Sequence, residues 1–112
     1  MGIVGHYKWI QLFERYRTKL WDKQYGLLLK EGLGLVIKNI EVEYTRPAKF
    51  RDELVFTCEI QKIGGASFSA KQVAYDKNKK PYAEASLHFI CINSELKPTK
   101  IPDYLKNMEE SS

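Results

Sequence analysis

The feature that most constrains this chain is a change of period. From about His6 to Tyr25 the apolar residues Trp9, Phe13, Tyr16 and Leu20 recur at three- and four-residue steps, with Ile10, Leu12 and Trp21 widening the stripe. That is an amphipathic helix of roughly 30 Å at the usual rise of ~1.5 Å per residue. Gly26 and Gly32 offer places to stop, and Gly32 suits the left-handed position just past a helix end. After it the period drops to two. Leu35-Val36-Ile37 leads into Ile40-Glu41-Val42-Glu43-Tyr44-Thr45, and Pro47 breaks the run.

Three further strands follow. Leu54, Phe56, Cys58 and Ile60 share one face of the next run, and Gly64-Gly65 marks a turn. A third strand spans about Ser67 to Tyr75 and closes on the polar loop Asp76-Lys77-Asn78-Lys79-Lys80. The fourth runs from about Tyr82 to Asn93, with Ala83, Ala85, Leu87, Phe89 and Cys91 on one face. The tail turns through Pro98 and Pro102, and Glu109-Glu110-Ser111-Ser112 is expected to fray. A half-apolar antiparallel sheet needs a cover, and the long helix is the only large element able to provide one. The fold class is therefore α+β, with residues 1–112 forming one domain.

Composition excludes several classes. At 44% apolar and 29% charged the chain is neither disordered nor membrane-spanning. The start lacks a signal-peptide pattern, so a cytoplasmic protein is expected. The net charge of +4 comes from dispersed lysines, and the cluster Lys77-Asn78-Lys79-Lys80 reads as a solvated hairpin loop. No nucleic-acid partner is expected, whereas a ligand carrying several phosphates suits a mildly basic surface. Cys58 and Cys91 sit in alternating apolar runs as small hydrophobes, without the spacing of a zinc site or disulfide framework. No metal and no cofactor is expected.

Chemistry concentrates at the helix start. Gly2-Ile3-Val4-Gly5-His6-Tyr7-Lys8-Trp9 delivers a His to the first helical turn, where free backbone N–H groups and the positive dipole end suit a developing oxyanion. His88 reads as a half-exposed sheet histidine, Glu14 as a structural helix residue, and Glu31 as solvated.

The same segment resembles the G-[VI]-V-[YH]-H-x-x-Y of the 4-hydroxybenzoyl-CoA thioesterase family, which has the hotdog fold. Phe13-Glu14-Arg15-Tyr16-Arg17 is similar to its F-E-x-A-R, Tyr44-Thr45-Arg46-Pro47-Ala48 to its Y-x-x-P-A, and Asp52-Glu53-Leu54 to its D-x-L. Ala83-Glu84-Ala85 and Lys100-Ile101-Pro102 resemble its small-x-small step and its closing [KR]-[IL]-P. There are departures: Gly5 for a Tyr or His, Trp9 for a Tyr, Tyr16 for a small residue, and Arg51 for a Gly.

The resemblance implies an acyl-CoA thioesterase that acts as a homodimer or homotetramer, with sites formed between subunits. It makes His6 the catalytic candidate, through its backbone N–H and its imidazole. It places Gly5, Tyr7 and Trp9 with Ser67 and Ser69 as substrate-binding residues, the two serines reaching across the dimer interface. Lys62, Lys71 and Arg46 are basic candidates for the phosphates of coenzyme A. The family's catalytic Asp, in D-x-x-G at the end of an N-terminal strand, falls ahead of Met1. The expectation is therefore a hotdog domain lacking its first strand through truncation or a misplaced start. A catalytically impaired relative that binds acyl-CoA or serves as an assembly subunit is the alternative.

Overall fold

Elements appear in the expected order, in a computed structural model that describes residues 4–49 and 51–106. Helices α1 (His6–Leu20) and α2 (Asp22–Lys30) precede strands β1 (Gly34–Tyr44), β2 (Val55–Ile63), β3 (Ser67–Tyr75) and β4 (Pro81–Ile92), and a single turn, α3 (Asp103–Lys106), follows. The strands form one antiparallel sheet in the order β1-β4-β3-β2, so β1 and β2 are its edges. Glu109–Ser112, expected to fray, lie outside the described residues.

The helical stretch differs from expectation in two ways. It runs past Tyr25 to Lys30, and it bends at Trp21, whose backbone leaves helical geometry at φ −103° and ψ 19°. The hydrogen bonds from Trp21 N–H to Arg17 O and from Tyr25 N–H to Trp21 O persist across the bend, so the path turns without breaking. Gly26 does not stop the helix because Leu27 and Leu28 extend the half-buried stripe beyond it. The stop comes at Gly32, at φ +70°. Leu33 N–H there bonds Leu28 O at 2.9 Å and Gly32 N–H bonds Leu29 O at 3.2 Å, which is a Schellman end.

The inner face of the sheet explains how the helices seat. Ala70, Ala74, Ala83 and Ala85 are fully buried on β3 and β4, and these small side chains leave room for the aromatic rings of α1. Trp9 stacks with Phe13, Phe13 meets Phe56 edge-on, and Trp21 sits against Phe68 and Phe89. Truncating such a buried ring costs about 3–5 kcal/mol. The intrinsic propensity difference at an ordinary helical position is below ~1 kcal/mol, so packing and not propensity fixes the helix. Cys58 and Cys91 are both buried on this face, as the alternation implied. Tyr16, where a small residue was the family norm, lies flat on Phe56 at 5.4 Å between ring centroids.

Arg17, the basic neighbour of Glu14 in the stretch similar to F-E-x-A-R, turns inward, with only 5% of its surface exposed. Its position four residues after Phe13 puts it on the buried stripe. One guanidinium nitrogen donates to Gln72 Oε1 at 3.3 Å, and the cation lies 5.6 Å from the Phe89 ring centre. Gln72, buried on β3, donates in turn to the Phe13 carbonyl at 2.9 Å and so ties the sheet to α1. Arg17 also lies beside the Tyr25 hydroxyl, where burial pushes the phenol pKa up and the guanidinium partly offsets it. Glu31, expected to be solvated only, is exposed but accepts a 2.5 Å hydrogen bond from Tyr104.

The β3–β4 turn is built on Asp76. Its Oδ1 accepts from the N–H groups of Asn78 and Lys80, and its Oδ2 pairs with Arg46 at 2.5 Å. Lys77, Lys79 and Lys80 are exposed there, as a solvated loop requires.

Two outcomes follow for stability. Gly32→Ala should lower stability by about 1 kcal/mol in denaturant melts, because an L side chain is strained at positive φ although the space around it is open. The Lys80 N–H, with the Asn78 N–H and Arg46, holds the Asp76 carboxyl below its ordinary pKa. Its contribution is therefore complete above the ordinary carboxylate range and lost as pH falls through the lowered value. Thermal melts of Asp76→Asn should sit below the parent at neutral pH, and the two should converge as acid protonates Asp76.

Candidate active site at the start of α1

A backbone bond ties the helix start to the segment after β1. Val4 N–H donates to Ala48 O at 2.7 Å, and both residues are buried. Gly5 caps the helix in an extended conformation, φ −86° and ψ 174°, with no side-chain cap and no acidic residue in the first turn. The first intrahelical bond runs from Trp9 N–H to Gly5 O at 3.0 Å. The amides of His6, Tyr7 and Lys8 precede it and have no intrahelical acceptor. They present donors and the positive end of the dipole to whatever lies in front of α1.

In front lies a cleft of about 440 Å³, lined by Val4, His6, Trp9, Tyr44, Thr45, Arg46 and Pro47. The His6 imidazole meets the Tyr44 hydroxyl through Nδ1. Tyr44 closes β1, and the next residue keeps the ladder, with Thr45 N–H on Tyr82 O at 2.9 Å. Burial raises the Tyr44 phenol pKa above its ordinary value. Arg46 forms the far wall: its guanidinium stacks 3.9 Å from the Tyr82 ring centre and donates to the carbonyls of Pro81 and Lys80 besides pairing with Asp76. Among the described residues the lining holds no Asp or Glu.

The structure brings some of the sequence candidates together and separates others. His6 and Trp9 line this cleft, and Gly5 caps the helix beside it. Tyr7 is 83% exposed and takes no part in the lining, although its ring meets His6 edge-on. As the second residue of the helix it projects away from the face that Trp9 buries. Ser67 and Ser69 line a different cleft, of about 250 Å³, with Lys62, Gly64, Phe68 and His88. His88 is exposed there and pairs across the strands with Ser69. Gly2 and Ile3 of the opening motif lie outside the described residues.

Of the basic candidates, Lys71 is engaged by Glu84 on the outer sheet face, Arg46 lines the His6 cleft, and Lys62 lines the serine cleft. Sequence reasoning missed Tyr44 as a site residue. Its signal was its place at the end of a strand, three residues before the Pro that breaks the run. No three His, Cys, Asp or Glu side chains among the described residues are grouped to hold a metal. No described helix is long and apolar enough to cross a membrane.

Comparison with known proteins gives this geometry its context. The Thioesterase-like superfamily profile matches residues 1–108. The acyl-CoA thioesterase YbgC of Haemophilus influenzae is 28% identical over 110 residues, covering 94% of this chain and 80% of that protein. The long-chain acyl-CoA thioesterase FadM of Escherichia coli is 26% identical over 96 residues, covering 80% of this chain and 70% of its own length. Among solved structures, the probable thioesterase YbaW of Escherichia coli superposes with a TM-score of 0.86 at 22% identity, covering 96% of this chain and 84% of that one. That likeness bears out the hotdog architecture, a long helix against a curled antiparallel sheet. With the profile spanning nearly its whole length, the chain belongs to the Thioesterase-like superfamily.

Proposed function

We propose that the chain hydrolyses acyl-CoA thioesters to the free acid and coenzyme A, using the cleft at the start of α1. The observation that carries this reading is the helix start of a thioesterase-like chain, which has no side-chain cap among the described residues and borders a cleft lined by His6. Attack on a thioester moves negative charge onto the carbonyl oxygen, and fixed donors at a helix start stabilise that charge without reorganising. The His6 N–H is the principal donor in this proposal, the His6 imidazole a second group at the same carbonyl. Gly5 lets the acyl group approach the amides closely, and Trp9 gives the cleft an apolar wall. Tyr7 contacts the bound molecule outside the cleft.

The chain works as a homodimer or homotetramer in the cytoplasm, with Ser67 and Ser69 of one subunit completing the site of another. The separation of the serine cleft from the His6 cleft within one chain supports that arrangement. One observation favours a second reading. The described lining offers donors and an Arg but no carboxylate to act as base, which fits a chain that holds acyl-CoA without turning it over.

Release of free coenzyme A from a panel of acyl-CoA thioesters by the purified chain separates the two. Turnover supports hydrolysis; calorimetric binding without turnover supports the second reading; neither result sinks both. Where turnover is seen, a pair of variants isolates the amide. His6→Ala removes only the imidazole, whereas His6→Pro also removes the N–H. Proline is tolerated at the first helical position, and Gly5 already has the extended backbone that a following proline demands. His6→Pro should fall about 10²-fold below His6→Ala in kcat, the loss typical of one oxyanion donor. Equal rates would remove the His6 amide from the mechanism.

A further inference from the structure

We propose that Tyr44 is a positioning residue that fixes the tautomer of His6, so that the imidazole presents Nε2–H to the cleft as a donor. The argument starts from the contact between the Tyr44 hydroxyl and His6 Nδ1, with the two rings 5.6 Å apart at 63°. Of the two groups, the phenol is the better donor and the imidazole nitrogen the better acceptor. A neutral imidazole carries its proton on one nitrogen only, and the bond made by the other nitrogen decides which. With Nδ1 accepting from Tyr44, the proton resides on Nε2.

Placement makes the arrangement durable. Tyr44 is paired with Ala83 in the sheet, and the Thr45 amide continues the attachment to β4. The helix start is tied to the same connection through Val4 and Ala48. Both partners of the hydrogen bond are therefore mounted on one frame. Partial desolvation holds the Tyr44 phenol pKa above its ordinary value, which favours the protonated, donating form.

This inference rests on the thioesterase reading for what the donor does, and it narrows that reading. An imidazole held as the Nε2–H form has no lone pair to offer the cleft. It therefore adds a second donor beside the His6 amide and leaves proton abstraction to another group.

Long-range proton–nitrogen NMR of the His6 ring at about pH 8, above the ordinary imidazole pKa, tests the tautomer directly. The parent should carry its proton on Nε2, and Tyr44→Phe should shift the ring toward the mixture of a free histidine. The ring of Phe keeps the packing, and Tyr44 is half exposed, so the variant is expected to fold. In turnover, Tyr44→Phe should lose about tenfold in kcat with KM nearly unchanged. His6→Gln restores an amide N–H near the place of Nε2 and should retain part of the activity. Adding Tyr44→Phe to His6→Gln should then cost nothing more. A parent proton on Nδ1, a Tyr44→Phe spectrum identical to the parent, or a further loss in the double variant would each overturn the inference. A parent that turns over no acyl-CoA would defeat the functional reading, while the spectrum would still decide the tautomer.

Discussion

Everything in this fold depends on a size match between two faces. Toward the β3–β4 turn the buried face of β3 and β4 carries Ala70, Ala74, Ala83 and Ala85, and the buried stripe of α1 carries Trp9 and Phe13. Large rings on the helix sit over small side chains on the sheet, so the backbones approach closely without leaving voids. Toward the other end the relation reverses: Phe68 and Phe89 rise from the sheet to meet Trp21, and the helical path bends there. Across the bend the helical stretch meets both edges of the sheet, α1 against β2 and α2 against β1, and the start of α1 meets the end of β1 through His6 and Tyr44.

That placement is what creates a site. A helix start is common, but here, among the described residues, it has no capping side chain and no acidic residue in its first turn. The turn before it is fastened to the segment after β1 by Val4 and Ala48, and the same segment contributes Tyr44, Thr45, Arg46 and Pro47 to the cleft. Arg46 extends the frame further, since its guanidinium stacks on Tyr82 and grips the β3–β4 turn through Asp76. Three segments distant in sequence are thus fixed against one another around a single opening. Preorganisation of this kind is what a charge-stabilising site requires.

Much of this was legible in the sequence. The strands announced themselves because alternation reflects directly which face is buried; Ala83, Ala85, Leu87, Phe89 and Cys91 are all buried as their spacing implied. Gly32 was legible for a related reason, since only a residue without a side chain ends a helix at positive φ without strain. Arg17 was not legible. A charged residue on the apolar stripe reads as surface, and its acceptor, Gln72, is 55 residues away and unpredictable from local pattern. The helical extent was also misread, because Gly26 carries a propensity cost that the packing of Leu28 overrides. At the site, His6 was found from its place at a helix start, but Tyr44 was not. Two residues 38 apart in sequence meet only through the topology. Ser67 and Ser69 share a sheet face and so could be grouped with each other, while their distance from His6 within one chain was invisible.

The two thiols buried on the inner face have a consequence of their own. Cys58 lies on an edge strand and Cys91 on an interior one, both under the helices and both almost wholly inaccessible. A modifying reagent reaches either sulfur only when the layer above it parts, so the pace of labelling becomes a clock for that parting. Because the two sit on different strands, their clocks run independently if the sheet opens at its margin first, and together if the whole domain opens at once. The protein thus carries a built-in report on whether it breathes locally or unfolds as a unit.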